Sequence, residues 1–245
     1  PEAALIPELV AASSVRTETM VAAPSPQPNP RFARAVAPDR HLARPDAEAV
    51  PENLDDVASG VQACRRCPLY RDATQGVCGE GPKSARLMIV GEQPGDQEDI
   101  AGRAFIGPAG QVLNAALAEA GIDRSDVYVT NAVKHFKHEP RGKRRLHKTP
   151  NAGEVQACRW WLNSERRLIK PQVVLALGAT AGLALLGRKP AVMQERGAPI
   201  DLSDGSTAVL TVHPSYLLRL PDEAAKAEAR RLFIEDLAAV QRRMR

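Results

Sequence analysis

RLMIVGEQPG, residues 86–95, places four apolar residues in succession, Leu87 to Val90, and then turns through Gly91, Pro94 and Gly95. A short continuous apolar run closed by turn residues reads as a strand buried on both faces. Three further runs have the same form: DVYVTN (126–131), QVVLALG (172–178) and AVLTVHP (208–214). Helical patterns lie between and after them. PAGQVLNAALAEAG has apolar residues at helical spacing and stops at Gly121. NAGEVQACRWWLNSERRLI opens with Asn151 and Glu154 in a capping-box arrangement. ATAGLALLG is a short helix, and PDEAAKAEARRLFIEDLAAVQRRM runs from acids to bases, matching the helix dipole. Strands alternating with helices predict an α/β fold, three-layer α/β/α with a central four-stranded parallel sheet.

This alternation occupies residues 51–245. Residues 1–50 are rich in Ala and Pro without an apolar period, and read as a disordered tail or linker. No run approaches the length of a membrane span and no secretory layout opens the chain, so we expect a cytoplasmic protein with no membrane partner. The net charge of +4 is modest, but cations concentrate between Lys134 and Lys148. Such clustering fits a nucleic-acid phosphate contact, although a solvated loop has the same composition.

In open parallel sheets, ligands bind beyond the carboxyl ends of the strands. GEQPGDQED follows the first run and presents Glu92, Gln93, Asp96 and Asp99, with Gly95 letting the backbone approach a ligand closely. An ordinary βα turn can look alike. Asn131 ends the second run, and its amide offers the donor and acceptor that a pyrimidine edge requires. His213 ends the last run, followed by Ser215, the apolar Tyr216, Leu217 and Leu218, and Arg219. A strand-end histidine is commonly structural; with an apolar wedge and a cation behind it, it suits a group acting on an extruded base. Phe105, in a Gly-flanked loop, is either a core anchor or a stacking platform. The cysteines comprise Cys64 and Cys67 in CRRC, Cys78 and the distant Cys158. CxxC with a remote ligand fits zinc or an iron–sulfur cluster, with Cys78 or His135 as the fourth ligand.

Together GEQPG, GRAFIGPAG, TNAVK and HPS, in that order over residues 60 to 243, resemble the iron–sulfur family-four members of the uracil-DNA glycosylase superfamily. Two features, His135 after NAVK and the inserted GKRRLHK, resemble the UdgX branch, in which a loop histidine bonds to the deoxyribose left after uracil excision. Gln93, where family-four enzymes have a small residue, also resembles that branch. The resemblance implies a 4Fe–4S cluster held by Cys64, Cys67, His135 and Cys158, with Cys78 a packing thiol. It implies that Phe105 stacks on flipped uracil, that Asn131 reads its edge and that His213 stabilises the departing anion. Gln93, Gly95, Asp96 and Ser215 would complete the uracil site. The partner would be uracil-containing DNA, single strands preferred, bound by a monomer through Lys143, Arg144, Arg145, Lys148, Leu217 and Arg219.

His147 is a titratable nucleophile set among Arg141, Lys143, Arg144, Arg145 and Lys148. We expect it to capture the sugar cation before water does, oriented by Glu92, with the neighbouring cations docking the loop and disfavouring the imidazolium. The competing expectations are an ordinary multiple-turnover glycosylase and a non-catalytic uracil-DNA binding module.

Overall fold

The computed structural model describes residues 49–244; the expected tail, apart from its last two residues, lies outside the described residues. Helix α1 (Leu54–Ala63) starts at a capping box between Asn53 and Asp56. A 3-10 turn, Pro68–Arg71, follows the CRRC segment.

The four expected strands are β1 (Leu87–Gly91), β2 (Val127–Asn131), β5 (Val173–Leu177) and β7 (Thr207–Thr211). They pair in parallel in the order β2-β1-β5-β7. A fifth strand, β6 (Pro199–Asp201), adds to β7 in antiparallel fashion at the edge. At three residues with a leading proline, it carries too little pattern to stand out in sequence, and proline is tolerated at a sheet edge.

Every residue of β1, β2 and β5 is buried. The pleat divides them between two cores. Leu87, Ile89, Val173, Leu175 and Val209 face α3 (Pro108–Glu119) and α8 (Glu223–Arg243). Met88, Val90, Val174, Ala176 and Leu210 face α1, α4 (Ala152–Ile169) and α5 (Gly178–Leu186). The result is a three-layer α/β/α sandwich. No helix among the described residues is long and apolar enough to cross a membrane.

Two segments expected to be loops have regular structure. Within GEQPGDQED begins α2 (Asp96–Ala101). The basic stretch is a β-hairpin, β3 (His138–Arg141) with β4 (Arg144–His147), turning through Gly142 and Lys143. Gly142 has φ +60°, which its missing Cβ permits. The register sets His138 opposite His147 and Pro140 opposite Arg145, so these four share one face of the hairpin.

Beneath the end of β2, Lys134 and Glu165 form an ion pair at 2.6 Å with neither side chain exposed. Lys134 Nζ also donates to Thr130 Oγ1 at 2.6 Å and to the Asn131 carbonyl at 2.9 Å. Glu165 accepts from Gly79 N, Thr130 Oγ1 and Tyr128 OH. Glu165→Ala, which strands a buried ammonium, is expected to lower the unfolding free energy by about 3–5 kcal/mol in denaturant titration.

Candidate active site

The pairing of β1 with β2 continues past both strand ends: Ala132 N donates to Gly91 O at 2.9 Å and Val133 N to Glu92 O at 3.0 Å. The carboxyl ends of the two strands thus enter the site as one unit. A Cβ on Gly91 would lie 2.4 Å from Asn131 Oδ1 and 2.6 Å from Phe105 Cζ, so the amide and the ring meet over a position that only glycine can occupy. Phe105 holds a left-handed backbone, φ +56°, a conformation costly for a bulky residue. Its loop is held by Glu98, whose Oε1 accepts the Gly107 N–H at 2.8 Å.

Glu92 reaches two other elements. Its Oε2 accepts from Thr180 Oγ1 at 2.6 Å, and its Oε1 lies 3.4 Å from His147 Nε2. Thr180, in the first turn of α5, was not singled out from sequence; its only signal is its place in GATAG, directly after a strand. The hairpin carrying His147 is fastened to the sheet. Gln93 Nε2 donates to the carbonyls of Lys137 and Lys148, both at 3.1 Å, and Gln93 Oε1 accepts from Lys137 N at 2.9 Å. Arg145 donates at 2.6 Å to Asp96 Oδ1 and at 2.6 Å to Asp99 Oδ2, and at 3.1 Å to Thr74 Oγ1. The buried Phe136 ring underlies the same face, 5.4 Å from the Arg145 guanidinium and 6.1 Å from the His147 ring.

His213 caps α7 (Pro214–Arg219). Its Nδ1 accepts the Ser215 N–H at 3.2 Å and lies 2.8 Å from Ser215 Oγ, which accepts from Arg219 at 2.8 Å. A backbone N–H directed at Nδ1 leaves the neutral ring's proton on Nε2. Burial, with help from Arg219 and His147, lowers the His213 pKa to about 4.

Burial raises the Cys67 thiol, and the neighbouring Cys64 adds to this; Cys64 and Cys67 likewise lie close enough to Cys158 to act on its thiol. Cys158 Sγ accepts from Lys134 N at 3.2 Å, and Cys64 Sγ from Trp161 Nε1 at 3.2 Å and Arg66 N at 3.5 Å. Burial raises Cys158 to about 12; binding a metal would require it to lose that proton. Among the described residues no three Cys, His, Asp or Glu side chains are closed up around a single ion. A multi-iron cluster spreads its ligands further apart than one ion does, and three thiols with N–H donors on two of the sulfurs are the donor chemistry it needs. His135 is buried next to Lys134, whose N–H reaches Cys158. Cys78 sits elsewhere, beside Lys134 and Glu165, its thiol pushed up to about 11 by burial.

The family model for the uracil DNA glycosylase superfamily matches residues 78–238. The chain belongs to this superfamily. It is similar to the type-4 uracil-DNA glycosylase of Thermotoga maritima, 41% identical over 187 residues, covering 76% of this chain and 92% of that protein. The type-4 uracil-DNA glycosylase of Pyrobaculum aerophilum is 37% identical over 174 residues, covering 66% and 82%. The type-5 uracil-DNA glycosylase of the same organism is 30% identical over 223 residues, covering 77% and 91%.

For a uracil-DNA glycosylase fold, the sequence expectations meet the structure unevenly. Glu92, Phe105, Asn131, His147 and His213 lie at the carboxyl ends of the sheet. Gly95, as the residue before α2, has its backbone there too. The side chains of Gln93, Asp96 and Arg145, expected to face uracil or phosphate, are bonded in this structure within the protein, where they hold the hairpin. Lys148 pairs with Glu139 at 2.5 Å, and the Glu92 carboxylate lies beside His147 at 3.4 Å. Lys143 and Arg144 are exposed at the hairpin tip. Leu217 is 6% exposed within the core, whereas Leu218 is 49% exposed. Of the three residues of the expected wedge, Leu217 packs inward because the α7 turn directs it at the sheet, while Tyr216 and Leu218 face solvent.

Gly91→Ala is expected to displace Phe105 or Asn131 and lower the rate of uracil release by about 100-fold, measured on a uracil oligonucleotide. His213 binds its proton more weakly than the usual imidazole, so the stability it contributes is complete above about 6.5 and lost as pH falls through about 4. Uracil release should accordingly show no acid limb near pH 6.5 assignable to His213; a limb there that His213→Asn removes would contradict this.

Proposed function

We propose that this uracil-DNA glycosylase excises uracil and then captures the abasic deoxyribose covalently on His147, in a single turnover, as in the UdgX branch. One observation carries the reading: a hairpin clamped to the sheet holds the His147 imidazole 3.4 Å from the Glu92 carboxylate, beside the paired ends of β1 and β2.

The C1′–N bond breaks with its electron pair leaving on uracil. His213, neutral with its proton on Nε2, donates a hydrogen bond to the developing anion, while Asn131 binds the base edge and Phe105 stacks on its face. One nitrogen of His147 then forms a bond to C1′, and the proton on the other passes to Glu92. Thr180 keeps the carboxylate oriented by bonding its second oxygen. Lys143, Arg144 and Arg219 meet the phosphates of a strand, single-stranded by preference, and Leu218 with Tyr216 fills the gap left by the extruded base. A 4Fe–4S cluster on Cys64, Cys67, Cys158 and His135 would brace the CRRC segment against α4 and the chain beyond β2. Residues 51–245 form the glycosylase-like domain to which we assign this chemistry.

Incubation with uracil-containing single-stranded DNA is expected to give a complex that survives SDS and heat, with about one uracil released per protein. His147→Ala should abolish the complex while still releasing uracil, and Glu92→Gln should slow its formation by about 100-fold or more. Free uracil in large excess over the protein would instead mark an ordinary glycosylase with turnover.

A further inference from the structure

We propose that Arg65, Tyr70 and Arg71 form a stacking subsite for a nucleotide of the DNA strand flanking the target, next to the loop that braces the hairpin. The inference rests on the chain acting on DNA and is independent of how the sugar is captured.

The Arg65 guanidinium lies over the Tyr70 ring, 4.3 Å from its centroid, fixed by a 2.9 Å bond from Nη1 to the Cys64 carbonyl. Arg71 lies 5.8 Å from the same ring, and its Nε is 3.4 Å from the Tyr70 hydroxyl. Both arginines are exposed. Neither makes an ion pair with a carboxylate of the described residues, unlike Arg103, Arg145, Arg188 and Arg196. An exposed guanidinium stacked on an aromatic ring presents a flat cationic face. That face matches a nucleobase, and the free N–H groups beside it match a phosphate.

The position supports the same ligand. The carbonyl of Asp72, adjacent to Arg71, accepts from His138 Nε2 at 2.9 Å, and Thr74 accepts from Arg145 at 3.1 Å. His138 stands opposite His147 in the hairpin register, so the chain directly after Tyr70 and Arg71 is tied to the hairpin that carries His147. A strand bound at His147 would extend to Tyr70 and its two arginines past these contacts.

The test uses the full protein with its cluster and uracil-free single strands of about 4 and about 16 nucleotides. Tyr70→Ala is expected to weaken binding of the longer strand by about 5- to 100-fold, removing most of what the extra length gains. Arg71→Ala should reduce the slope of log affinity against log salt by about 0.7. Visible absorbance checks that each variant keeps its cluster; if Tyr70→Ala loses it, Arg71→Ala decides. An unchanged length dependence and salt slope, or an equal loss on both strands, overturns the subsite. Because the strands carry no uracil, a wild-type protein that released no base would overturn the glycosylase reading without touching this result.

Discussion

A lysine and a glutamate without access to water hold the carboxyl end of β2. All three Lys134 ammonium protons are used, on Thr130, on the Asn131 carbonyl and on Glu165, and Glu165 is bonded in turn to the Gly79 backbone and Tyr128. A buried ion pair gives little net stability over an apolar substitute, but when every partner is satisfied it tolerates few alternative geometries. Asn131 therefore cannot shift without breaking a charge-assisted bond. The backbone N–H of Lys134 also reaches Cys158 Sγ, so Asn131 and the thiol on α4 share one rigid footing.

The histidine hairpin is held by different means. Isolated two-stranded hairpins are marginal in water, and this one borrows its order from Gln93, Phe136 and the guanidinium shared by Asp96 and Asp99. Asp99 is fully buried; it also accepts the Thr74 N–H, so Arg145 bonds to a carboxylate that cannot move. Three polar side chains that suggest ligand contacts by composition thereby become fasteners. What distinguishes the two uses is whether a charge has a partner inside the protein, and a sequence displays the charge without the partner.

The same distinction explains what could be read in advance. The four parallel strands announce themselves because burial on both faces demands unbroken apolar runs, and α4 because Asn151 and Glu154 bond reciprocally as a capping box should. The positions of Asn131 and His213 follow from topology alone, since a parallel sheet delivers its strand ends to one side. The hairpin escapes because its face alternates His, Pro and Arg rather than apolar residues, leaving no hydrophobic period to detect. Thr180 escapes because its role is a single bond to a carboxylate 88 positions away. Leu217 and Leu218 are alike in composition, and only the phase of α7 decides which one reaches the solvent.

His147 is 48% exposed at its side chain and Glu92 is 21% exposed, so in the proposed reaction water stands at the same door as the imidazole. Charge around the histidine cannot decide the contest, because Arg145 and Lys148 are engaged with carboxylates of their own. Position can. A nucleophile held rigidly near its target carries an effective concentration of order 10⁵ M or more, far above that of liquid water, provided its orientation is fixed before the bond breaks. The clamps on the hairpin are what fix it. Loosening Arg145 or Gln93 would keep every reacting group in the chain but free His147 from its orientation, and in the proposed reaction that hands the sugar cation to solvent, so capture would depend on the fasteners as much as on the imidazole they hold.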